Sequence, residues 1–189
     1  MIKNRNTHVI VDMLYDFIEG GALACQNTLE AVKATIKYIN EHPDDKVLYV
    51  CDSHPENHCS FKENGGLWAV HCVPGTKGAE IHEDFYTGIL EPQNRPNERN
   101  IFRKGLNPRK EQYSGYAAQN EDDSLMFEDC TKNVFLSGIA TEYCVKKTAF
   151  DLLRDGFNVT LIKDNLGFFE EKSHLKGLQE MQEQGVKVI

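Results

Sequence analysis

Short uninterrupted apolar runs alternate along this chain with stretches whose apolar residues recur every three or four positions. No other feature constrains the fold as strongly. His8–Asp12 (HVIVD) and Lys46–Cys51 (KVLYVC) read as strands, and between them Leu29, Val32, Ile36 and Ile39 mark one face of a helix. A short strand follows at Asn100–Arg103, and a clear one at Asn133–Gly138 (NVFLSG). Thr141 then caps a helix to about Asp155, with Val145, Thr148, Ala149, Leu152 and Leu153 on one face and Gly156 ending it. Asn158–Asp164 reads as a strand, Glu170–Gln184 as a helix and Val186–Ile189 as a last strand. Strands that are apolar throughout, separated by amphipathic helices, predict a three-layer α/β fold: a mostly parallel, Rossmann-like sheet of six strands with helices on both faces.

The 189 residues fit one domain, expected over 1–189, better than two small ones. No internal repeat, low-complexity tract or linker divides the chain. A formal net charge of −8 repels phosphate backbones and anionic lipid, which argues against nucleic-acid and membrane-surface partners. No apolar run approaches the roughly 20 residues that span a bilayer. MIKNRNTHVIVD enters a strand with no apolar leader, so a cytoplasmic location is expected. Six scattered cysteines without an export signal are expected to be reduced. Exposed apolar surface can support a homo-oligomer.

In open α/β sheets, ligands bind beyond the carboxyl ends of the strands. Asp12 ends the first strand, Asp52 follows the second, Lys104 follows the third, and the turn after Gly138 leads to Cys144. Cys144 falls in the first turn of a predicted helix, where free N–H groups and the helix dipole favour a thiolate. The small residues before it, SGIAT, suit a turn that aims backbone N–H groups at a developing oxyanion. Taken alone, Cys144 reads equally well as a small buried apolar residue. Asp12 reads as a general base or as a cap for neighbouring amides. Lys104 reads as a solvated lysine or, beside an Asp–Cys pair, as the cation that holds the carboxylate charged.

The stretch from Asp52 to Glu98 is too long for a plain connection and holds four of the seven histidines. Asp52 and His54 in DSHPENH, with His71 from LWAVHC, suit a divalent metal with open positions for water and substrate. His58 and Glu63 are further candidate ligands. A closed structural zinc site drawing on Cys59 and Cys72 is the alternative, although the paired C-x-x-C form is missing.

Together these residues resemble the nicotinamidase/pyrazinamidase branch of the isochorismatase-like hydrolases. Four segments carry the resemblance in family order: Val11–Phe17 with Gly20–Gly21; Asp52–Phe61 with Leu67–His82; Arg103–Gly105 with Tyr113–Tyr116; and Ser137–Asp151, which contains A-T-E-Y-C-V. The resemblance implies a triad of Asp12, Lys104 and Cys144, and metal ligation by Asp52, His54 and His71. It also implies an oxyanion hole from the N–H groups of Ala140 and Cys144, with a cis peptide before Ala140. Phe17, Trp68 and Tyr113 match aromatic positions that flank a pyridine ring. Two positions depart from the family pattern: Leu14 stands where a Gln is common, and Ser53 where an aromatic is usual.

The activity so implied is hydrolysis of nicotinamide to nicotinate and ammonia in NAD salvage, through a Cys144 thioester, with pyrazinamide as a second substrate. The implied cofactor is one divalent ion, zinc first, with manganese and iron as alternatives. A carbamoyl or ureido amidase of the same superfamily is the rival, but such relatives generally lack the Asp-x-His/His set. Isochorismatases, which cleave a vinyl ether, lack the cysteine.

Overall fold

The computed structural model describes residues 6–189, so the expected one-domain span of 1–189 includes five residues outside the described ones. Six strands form one sheet: β1 (Thr7–Val11), β2 (Lys46–Asp52), β3 (Ile101–Lys104), β4 (Asn133–Gly138), β5 (Asn158–Leu166) and β6 (Lys187–Val188). Their order is β3-β2-β1-β4-β5-β6, and every pairing is parallel. Parallel strands need crossover connections, which here include α1 (Thr28–Glu41), a short α2 (Asp84–Thr87), α3 (Lys146–Arg154) and α4 (Glu171–Glu183).

Both sheet faces are covered, as the continuous apolar runs require. Val9 and Val11 of β1 face a core shared with Ala149 and Leu152 of α3 and with Leu178 and Met181 of α4. Ile10, on the other face, packs with Ala31, Val32 and Ile39 of α1 and Phe85 of α2. No helix of the described residues is long and apolar enough to cross a membrane. All six cysteines are free.

The strand order reverses between β1 and β4, and a crevice opens there at the carboxyl ends. The two strands approach so closely that a Cβ on Gly138 would lie 2.2 Å from the Val11 carbonyl oxygen. Gly138 also has φ +139°, so glycine is required where β4 meets this crevice. Across the gap Asp12 adopts φ +49°, a left-handed conformation that Asp tolerates better than most residues.

The structure corrects one local expectation. Thr141 does not cap an α-helix. Thr141–Val145 form a π-helical turn in which the Val145 N–H reaches back five residues to the Ala140 carbonyl, and the α-helix starts only at Lys146. The Thr141 hydroxyl instead donates to the Gly167 carbonyl at 3.1 Å and meets His174 Nδ1 at 2.9 Å. Those tertiary partners are invisible to a local capping rule. Turns of this kind occur preferentially at functional sites. Smaller shifts occur at strand ends: β2 and β3 each run one residue further, taking in Asp52 and Lys104, and β5 continues to Leu166.

Candidate active site

Four strand ends deliver the chemistry to one place. Asp12 leaves β1, Asp52 closes β2, Lys104 closes β3, and Cys144 sits in the π turn after β4. One atom from each of Asp12, Asp52 and Cys144 lies within 4.8 Å of the other two. Lys104 Nζ lies 2.8 Å from Asp12 Oδ2, hydrogen-bonds Asp52 Oδ1, and reaches Cys144 Sγ at 3.4 Å. Asp12 Oδ1 accepts the Asp52 N–H at 2.8 Å, which fixes the carboxylate plane. Its Oδ2 faces the Lys104 ammonium at 2.8 Å and the Cys144 thiol. This oxygen is therefore placed to take the Cys144 proton.

Burial sets the electrostatics. It raises Asp12 to about 6, with Asp52 adding to the rise and Lys104 opposing it. Asp52 is also buried, but Lys104 and His54 outweigh the desolvation and hold its carboxyl well below the usual range. Desolvation works against the Lys104 charge, yet Asp12 and Asp52 keep it firmly protonated. Burial pushes the Cys144 thiol well up; Lys104 opposes the shift, while Asp12 and Asp52 reinforce it. Burial and the two carboxylates thus work against the thiolate that a helix start favours. The surroundings favour the thiol, and an acceptor for its proton, Asp12, sits alongside.

Asp52 belongs to a second cluster as well. Its carboxylate and the imidazoles of His54 and His71 place their ligand atoms within 4.8 Å of one another. Both Nε2 atoms face Asp52 Oδ2, at 3.5 Å from His54 and 4.0 Å from His71. Each ring is oriented from behind: His54 Nδ1 contacts the Gly105 carbonyl at 3.2 Å and His71 Nδ1 the Ala69 carbonyl at 2.8 Å. Donation from Nδ1 leaves the Nε2 lone pair for an ion, the usual arrangement behind a metal-bound histidine. Two nitrogens and one buried carboxylate suit a divalent ion of the zinc type with open positions. The site thus fits a metal.

His58 and Glu63 lie outside this cluster. His58 is buried, with Nδ1 held by Ser60 at 2.7 Å and Nε2 without a partner; Glu63 is exposed on a 3-10 turn. Cys59 and Cys72 are not in the cluster either, so the closed structural zinc alternative is not formed.

Aromatic residues close the pocket. Phe17 meets His71 edge-on at 5.6 Å, and Trp68 Nε1 donates to the Tyr113 hydroxyl at 3.1 Å. The wall also contains residues that the sequence motifs did not single out: Leu23, Glu111, Gln112, Tyr143 and Phe169. Tyr143 lies within A-T-E-Y-C-V, and Phe169 follows the carboxyl end of β5, so the strand-end rule could have flagged both. The Ile139–Ala140 peptide is cis, and the Ala140 N–H has no acceptor among the described residues. Leu14 is fully buried beneath the site, where an apolar side chain suits its neighbours. Ser53 is buried too, and its N–H bonds the Lys104 carbonyl at 2.9 Å.

The family model for the isochorismatase domain matches residues 6–189. The chain belongs to the isochorismatase family. Among its isochorismatase-family relatives, the nicotinamidase/pyrazinamidase of Mycobacterium tuberculosis is 29% identical over 96% of each chain. The zinc complex of the Pyrococcus horikoshii pyrazinamidase superposes with a TM-score of 0.84, at 33% identity and 98% coverage of both chains. An L. infantum structure solved with nicotinate gives a TM-score of 0.79 at 29% identity, covering 98% of this chain and 92% of that one. The parallel, doubly covered sheet expected from the strand–helix alternation and the isochorismatase-like fold implied by the resemblance are both observed.

Proposed function

We propose that this isochorismatase-family member is a nicotinamidase, which hydrolyses nicotinamide to nicotinate and ammonia and also accepts pyrazinamide. The observation that carries the proposal is the double membership of Asp52. It stands in the cluster around Cys144 and in the cluster around His54 and His71, so a nucleophile and a ring anchor lie side by side. The nicotinamidase and pyrazinamidase relatives support the same reading. The one domain of 1–189 and a cytoplasmic location are part of the proposal, supported by the single sheet and the free cysteines.

The geometry supports the following roles. When bound by Asp52, His54 and His71, zinc supplies a Lewis-acidic anchor for the pyridine nitrogen. Phe17, Trp68 and Tyr113 flank the ring and exclude water. Asp12 Oδ2 takes the Cys144 proton as sulfur attacks the carboxamide carbon, so a neutral thiol becomes a nucleophile only when substrate is present. The oxygen of the tetrahedral intermediate takes hydrogen bonds from the Ala140 and Cys144 N–H groups. Asp12 returns the proton to nitrogen, the C–N bond breaks and ammonia leaves a Cys144 thioester. Asp12 then removes a proton from water, which attacks the thioester carbonyl, and sulfur leaves and recovers its proton. Lys104 stays charged throughout and keeps Asp12 from becoming too basic to release its proton.

Ammonia release from a panel of small amides, with and without a chelator, tests this function. The expected result is turnover of nicotinamide and pyrazinamide that the chelator abolishes. Turnover of a carbamoyl or ureido compound in their place, or indifference to the chelator, would overturn it.

A further inference from the structure

The cavity over Cys144 is narrow, about 30 Å³. That is little space for a pyridine ring, so ring entry is expected to move the roof over Cys144. That roof consists of four half-buried aromatic rings lying over fully withdrawn Cys144, His54 and Lys104. Phe169 stacks on Trp68, with centroids 5.5 Å apart and planes 24° apart, and meets Tyr143 edge-on at 5.8 Å. Tyr143 in turn packs against both Trp68 and Tyr113.

The four rings differ in how they are held. Trp68 and Tyr113 are joined by their hydrogen bond, and Tyr143 is one residue from the nucleophile inside the π turn. Only Phe169 has a side chain without a polar tie or a place in the nucleophile turn. Its backbone, by contrast, is pinned from two sides. Glu142 Oε1 accepts the N–H groups of Phe169 at 2.9 Å and Glu170 at 3.0 Å. Gln26 Nε2 donates to the Phe169 carbonyl at 2.8 Å, and the Gln26 and Phe168 main chains exchange two further hydrogen bonds.

We propose that Phe169 is the gate and a specificity-determining residue of this site. Its side chain swings off Trp68 to admit the ring and closes against the ring edge, while Glu142 acts as the positioning residue that fixes the gate's backbone. Glu142 lies two residues before Cys144, so one turn holds both the nucleophile and the gate's anchor. The specificity half of this proposal rests on the nicotinamidase reading: a substituent on the ring edge facing Phe169 is rejected because it occupies the gate's closed position.

Two readouts test the proposal. The first, site-resolved alkylation of Cys144 by iodoacetamide at fixed pH, needs no turnover and so separates the gate from the identity of the substrate. Phe169→Ala and Glu142→Ala are expected to raise that rate about tenfold by populating the open state, with Phe169→Leu between them and the parent. Glu142→Gln, whose amide oxygen still accepts both N–H groups, is expected to stay near the parent rate. The second readout is kcat/KM for a ring-methylated nicotinamide relative to nicotinamide, which should rise about tenfold in Phe169→Ala. An unchanged Cys144 alkylation rate in both folded Phe169 variants would overturn the gate. Faster alkylation with an unchanged substrate ratio would overturn the specificity half.

Discussion

Lys104 Nζ lies 2.8 Å from Asp12 Oδ2, and neither side chain is open to solvent. The same ammonium binds Asp52 and touches the Cys144 sulfur, so one cation balances two carboxylates in a dry site. Removing one partner of such a pair leaves an uncompensated buried charge. Lys104→Met is therefore expected to lower stability by about 3–5 kcal/mol in urea denaturation. The double variant Lys104→Met, Asp12→Asn should lose less than the sum of the two single changes, because the pair is coupled.

Gly105 packs directly against the metal half of the site. Its φ is +74°, a Cβ there would lie 2.2 Å from the His54 ring, and its carbonyl orients His54 Nδ1. Gly105→Ala is expected to weaken metal affinity about 10–100-fold while the circular dichroism of the fold is retained. Titration against a competing chelator measures it.

A ligand inside the cluster and a candidate outside it give a sharper contrast. His71→Ala should lose stoichiometric metal, whereas Glu63→Ala should keep it, since Glu63 is exposed away from the cluster. Metal content after dialysis distinguishes the two.

A pH prediction comes from the opposite end of β1. His8 is buried with Nε2 on Ser137 Oγ at 2.7 Å and Nδ1 without a partner. Burial, reinforced by His42, lowers it to about 3. The folded pKa lies below the unfolded one, so the unfolded chain binds the extra proton. The stability this group contributes is complete above about pH 6.5 and is lost as pH falls toward 3, at up to about 1.4 kcal/mol per pH unit. His8→Phe should flatten the dependence of Tm on pH between 6.5 and 4 relative to the parent.

The sheet was legible in the sequence because parallel strands buried on both faces leave uninterrupted apolar runs, as in HVIVD and NVFLSG. Asp12, Asp52, Lys104 and Cys144 were legible for a related reason: in such sheets chemistry gathers where strands end. The π turn was not, since the partners that divert Thr141 from capping, Gly167 and His174, lie 26 and 33 residues away. Phe169 stood at a legible strand end, but its stacking against Trp68 was not legible, because no local spacing encodes that contact. A helix-start argument also counts the turn's dipole but not the two carboxylates and the burial around Cys144, which favour the thiol.

The central claim is that Cys144 attacks the carboxamide with Asp12 as its base. Ammonia release from nicotinamide by the metal-loaded protein, compared with its Cys144→Ala variant, tests it most directly. The account predicts a fall of at least about 1,000-fold, with the metal content unchanged. A Cys144→Ala protein that releases ammonia at the parent rate would contradict it.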